Sequence, residues 1–216
     1  MARRERSPLR LQPSNAGIPV LLGAVGGLLF LFVFPGGAIT TLMHDVMHLP
    51  GPGAGIALIL GPAVLLIALI SSQSVRGATG GALLASLAFA ATYGVLAAIL
   101  NVSVSRQGMF GSIWFVVALG VCGVVTEVLL ILTRGLRSPW RLLLAACGAN
   151  TGLLVFYWIA IFPRTKGWVS WEDLPLLLAL NLGGGAIAGV AAWVVSSRIP
   201  ILAGSSRGRE SDVRTR

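Results

Sequence analysis

Six apolar stretches, each about long enough to cross a bilayer, lie between Arg10 and Arg198, and positive charge collects in alternate gaps between them. They cover residues 16–34, 54–71, 77–100, 110–132, 142–162 and 174–195. A crossing takes about 20 residues at about 1.5 Å each, and tilt absorbs differences in length. Strands of a membrane barrel alternate apolar and polar residues over short segments, whereas uninterrupted apolar runs belong to helices, whose backbone groups are satisfied internally. The expected fold is therefore all-α, an integral membrane bundle of about six transmembrane helices. With hydrophobic residues at 56% and charged residues at 11%, the composition lies outside the soluble globular range.

The arginines give the bundle a direction. Thirteen of the basic residues fall before the first stretch, in the second and fourth gaps, or after the last stretch, against Arg106, Arg164 and Lys166 in the other gaps. The positive-inside rule then puts both termini in the cytoplasm, as an even number of crossings requires. The expected location is the cell membrane, as a multi-pass protein. Net charge is +9, but the basic tails carry no aromatic residues to stack on bases, so nucleic acid is not an expected partner. The chain divides into a cytoplasmic basic tail (1–14), one transmembrane domain (15–200) and a second basic tail (201–216). The first apolar stretch ends in the large residues Phe30–Phe34 and is followed by Pro35, where a cleaved signal peptide would have small residues, so it is expected to stay attached. Cys122 and Cys147 fall within apolar stretches and read as small buried hydrophobes.

Glycines recur at the four-residue step that lets helices approach closely in lipid: Gly23 with Gly27, Gly77 with Gly81, Gly148 with Gly152, and Gly185 with Gly189. Such pairs serve packing within the chain or docking on a second membrane subunit.

Polar chemistry concentrates in the gaps expected outside. The first holds His44-Asp45-Val46-Met47-His48. If helical, it sets the two imidazoles one turn apart, a step that suits a metal ion or, with Met43 and Met47, a softer ion or haem iron. The same residues equally suit a wet interface or a lid over an organic substrate. The second outer gap offers Asn101. In the third, Trp168 and Trp171 read as an interfacial aromatic belt or as a stacking lid.

Within the stretches Glu127 is the one ionisable group well inside the apolar region. Burying an acid costs about 2.5–3.5 kcal/mol at the bilayer centre and less nearer the surface, so it needs a bonded neighbour helix, a proton-coupling role or a partner subunit. Asn150, bracketed by Gly148 and Gly152, reads as interhelical glue. Asn181, just before Gly183-Gly184-Gly185, reads as pocket-facing, because glycines expose backbone to a ligand. No Walker A or His-Glu-x-x-His motif is present, and the one Gly-x-Ser-x-Gly match, Gly204–Gly208, lies in the polar tail without strand–turn–helix context. The chain is not expected to be an enzyme, and no cofactor is expected.

A small bundle with both ends inside, a small-residue first helix and a polar first outer loop resembles the substrate-binding S components of energy-coupling factor (ECF) transporters. Gly61-Pro62, then Val75-Arg76-Gly77-Ala78 leading into the third helix, and Tyr93 beyond, resemble S components of the hydroxymethylpyrimidine (thiamin-precursor) type. The resemblance implies a binder of a small vitamin-like molecule, energised by a separate transmembrane coupling subunit and cytoplasmic ATPases. It implies an outward pocket, for which His44, Asp45, His48, Asn101, Trp168, Trp171 and Asn181 are the candidates. Gly23 and Gly27 become candidate contacts with the coupling subunit. The alternatives are a stand-alone secondary transporter using Glu127, or a metal- or haem-binding membrane protein using His44 and His48.

Overall fold

Apolar helices with few distinguishing faces pack by close approach of their backbones, and the glycines set that approach here. The computed structural model describes residues 13–33, 56–74, 80–100, 113–161 and 173–198. Among them are six α-helices: α1 (Pro13–Val33), α2 (Gly61–Ser74), α3 (Gly81–Ile99), α4 (Ile113–Leu132), α5 (Ser138–Phe156) and α6 (Leu174–Arg198). A single π-helical turn, Ile56–Leu60, precedes α2, and another, Tyr157–Ile161, continues α5. The helices over Gly81–Ile99, Ser138–Ala160 and Leu174–Arg198 are long and apolar enough to cross a membrane, and the other three carry shorter apolar helical stretches. This is a membrane protein.

The helix ends follow local chemistry. Gly80 at φ 105° turns the chain into α3 through the left-handed region, which glycine enters without steric penalty. Pro139 occupies the first turn of α5, where its missing N–H costs nothing. α6 runs unbroken through Gly183-Gly184-Gly185, because helices in lipid tolerate glycine when a neighbour packs on it. The tails expected at 1–14 and 201–216 lie outside the described residues, except that Pro13 and Ser14 open α1.

Contacts between helices give both order and direction. α1 packs on α3, α3 on α4, α4 on α5, α5 on α6, α6 on α2 and α2 back on α1. α2 also touches α3, α4 and α5, so it meets every other helix. No side chain described between Leu58 and Gln73 is exposed, which makes α2 the central helix. Gly23 and Gly27 of α1 face Ala85 and Phe89 of α3, so those two helices run parallel. Gly185 and Gly189 of α6 face Cys147 and Leu143 of α5 in the reverse order, so that pair is antiparallel.

These contacts leave no room for a side chain. A Cβ at Gly23 would collide with the Ala85 carbonyl oxygen, and one at Gly185 would stand 2.7 Å from Cys147 Cα. Gly23 and Gly27 thus pack against α3 of the same chain, the within-chain use of this glycine pair. The exposed side of α1 carries Leu21, Val25, Leu29 and Phe32 instead. Aromatic packing completes the α1–α3 contact: the Phe30 ring lies 5.7 Å from that of Phe89 and 5.8 Å from that of Tyr93, in tilted and edge-on geometries that aromatic rings favour.

Candidate functional site

Both π-turns lie at the same end of the bundle, where α2 begins, α5 finishes and α6 begins. Ile56–Leu60 packs against α6 and touches α5, so the three helices converge there. A π-turn widens the backbone locally and recurs at functional sites. Tyr157 and Trp158, on the π-turn of α5, turn inward: Tyr157 is buried and Trp158 packs on the hydrophobic core.

One polar layer crosses this sector. Asn150 Nδ2 of α5 donates to the backbone carbonyl of Asn181 on α6 at 2.8 Å. Asn181 Nδ2 in turn donates to the Leu177 carbonyl, one turn earlier on its own helix, at 2.7 Å. Both asparagines are fully buried. Among the described residues Asn181 Oδ1 has no hydrogen-bond partner. A buried acceptor left alone costs about 1–3 kcal/mol, so this oxygen is the point in the sector that a donor would stabilise most. Past this layer Leu154 and Leu177, with Leu178 and Leu180, form a small apolar cluster of their own, while Leu153 and Tyr157 of the same stretch of the chain belong to the main core together with Ala146, Ala149, Ala188 and Ala192.

At the opposite end Glu127 Oε1 of α4 accepts the backbone N–H of Ala82, in the first turn of α3, at 2.7 Å. The positive end of a helix dipole and an otherwise unpaired N–H offset the cost of holding a carboxyl in an apolar helix. Arg141 Nε of α5 donates to the Leu130 carbonyl in the last turn of α4 at 3.1 Å, so α3, α4 and α5 are tied together at this end. Glu127 is thus a cap supplied from a neighbouring helix. Its partner is a backbone group, which no sequence pattern marks.

Of the residues expected at the pocket, Asn181 alone is described, and it lies in the α5–α6 interface. His44, Asp45, His48, Asn101, Trp168 and Trp171 lie outside the described residues. Within the glycine run Gly185 is filled by α5, while Gly183 has nothing within 4 Å of a Cβ position. The sequence reading missed the π-turn ends of α2 and α5. The signal available for the latter was Tyr157-Trp158, bulky aromatic residues directly before the third outer gap.

No family model matches the chain, and no curated protein matches it significantly. Among solved structures, a crystal structure of an S-component of an ECF transporter superposes with a TM-score of 0.67 over 95% of this chain and 95% of that one, at 20% sequence identity. At that identity the likeness is one of fold.

Proposed function

We propose that the chain is the substrate-binding membrane subunit of an ECF-type uptake system, taking up a small vitamin-like molecule with energy supplied by a separate coupling subunit and cytoplasmic ATPases. The observation that carries this reading is the shared fold over nearly the whole of both chains. The resemblance of Gly61-Pro62, Val75–Ala78 and Tyr93 to the hydroxymethylpyrimidine type supports a heterocyclic substrate. The pocket would open at the end that holds both π-turns, with Asn181 at its floor and His44, Asp45, His48, Asn101, Trp168 and Trp171 supplied by the outer loops. A planar ring with N–H donors suits that floor, because the available group on Asn181 is an oxygen.

Such a subunit binds substrate but has no motor. Mass spectrometry of small molecules retained by gently purified protein should find one bound species, absent from preparations of N181A and H44A that remain folded. Uptake into liposomes should need the coupling and ATPase subunits. Uptake by the purified chain alone would instead establish a stand-alone transporter, and the commitment of Glu127 to the α3 N-terminus speaks against the proton-coupling role that transporter would assign it. An absorbance spectrum with elemental analysis of the same preparation decides whether His44 and His48 hold a metal or haem.

A further inference from the structure

The described charges are unevenly placed. Arg134, Arg137 and Arg141 sit on or beside the turn Thr133–Arg137 that joins α4 to α5, and Arg198 closes α6 at the same end. The only acid described at that end is Glu127, and its Oε1 is engaged by Ala82. Arg134 lies close enough to Arg141 for mutual repulsion, which Glu127 offsets in part. Arg141 is tethered to Leu130 through Nε, whereas Arg134 and Arg137 are exposed and, among the described residues, make no side-chain hydrogen bond or ion pair.

The same turn is apolar where it is not basic. Leu132, Leu136 and Trp140 are 74%, 46% and 61% exposed. Beside two helices that belong in lipid, such residues lie among acyl chains, with the tryptophan at headgroup depth. Guanidinium groups on the same turn reach the level of phosphates, which they bind with two parallel hydrogen bonds. First-turn N–H groups of α5 point the same way: its N-cap, Arg137, makes no side-chain capping bond, and the turn contains no acid.

We propose that the α4–α5 turn is a docking site for the headgroup of an anionic phospholipid, with Arg134 and Arg137 holding the phosphate and Leu136 and Trp140 seated against its acyl chains. Charge complementarity selects this occupant: a repelling arginine cluster over an exposed apolar rim fits a molecule that is anionic at one end and apolar at the other. The proposal requires that α4 and α5 sit in a bilayer and does not depend on the transport reading.

The test uses the full chain in detergent, native mass spectrometry, and phosphatidylglycerol and phosphatidylcholine with matched acyl chains as probes. Wild-type protein should retain phosphatidylglycerol under activation that strips phosphatidylcholine. R134Q/R137Q should lower retention of the anionic lipid about thirtyfold and leave the zwitterionic one unchanged, in line with roughly 1 kcal/mol per surface arginine. R214Q/R216Q, which removes the same charge from the C-terminal tail, should keep the preference. Absence of any preference in the wild type would overturn the proposal without reference to a variant. Equal loss in the tail variant would overturn it in favour of diffuse charge, and displacement of the lipid by millimolar inorganic phosphate would overturn it in favour of a free anion.

Discussion

At the residue scale, Glu127, Asn150 and Asn181 stand out among the polar side chains set in the apolar helices, and each spends itself on backbone. Glu127 bonds Ala82 N–H, Asn150 bonds the Asn181 carbonyl, and Asn181 bonds the Leu177 carbonyl. Their presence was legible, because an acid or amide inside an apolar run stands out. Their partners were not, since every residue offers the same backbone groups. Glu127→Gln retains an oxygen for the α3 N-terminus and should leave stability nearly intact. Glu127→Ala leaves the cap open and should cost about 1 kcal/mol, the usual worth of a helix N-cap. Thermal unfolding of both variants in one detergent distinguishes them, and equal loss would show that the charge, and not the acceptor, is what α3 requires. Asn150→Leu removes the interhelical bond to the Asn181 carbonyl and should cost about 0.6 kcal/mol, at most about 1.7, by the same measurement.

Among the elements, packing rests on which glycines meet a neighbour. The four-residue glycine step was readable along the chain, but its target was not. Gly23 and Gly27 meet α3, two helices on, and not the neighbour in sequence. Lipid explains the gap: with acyl chains as apolar as leucine, a helix face turned to lipid and one turned to protein have the same composition. For that reason the central place of α2 left no mark in hydropathy either. Gly185→Ala should cost about 1–3 kcal/mol, because the new methyl meets Cys147 Cα and the Ala146 carbonyl oxygen at 2.7–2.8 Å and backbone has to shift. Gly183→Ala, two residues away, meets nothing within 4 Å and should be neutral or stabilise by up to about 1 kcal/mol through helix propensity. Unfolding midpoints that rank the two variants the other way would show that α6 does not sit on α5 through this face.

For the whole molecule, fold class was the most legible level, since uninterrupted apolar runs leave helices as the one solution, and the helices found match the stretches to within a few residues at most ends. The site was the least legible, because its expected donors sit in connectors, where polar residues are common for reasons of wetting alone. Direction of insertion decides what both ends of the bundle do. If the arginine-rich end faces the cytoplasm, the π-turn end faces outward, where the proposed pocket would meet its substrate, and Arg134 and Arg137 meet the anionic inner leaflet. A background carrying C122A and C147A permits the measurement, since Cys122 is buried and Cys147 Sγ already lies 3.4 Å from the Leu182 carbonyl oxygen. In that background S103C should react with a membrane-impermeant maleimide in intact cells, and S206C only after the membrane is opened. The reverse pattern would turn the bundle over. Asn181 would then sit near the cytoplasm, where an uptake subunit has no substrate to capture, and the arginines would face the outer leaflet, so one labelling experiment bears on both proposals at once.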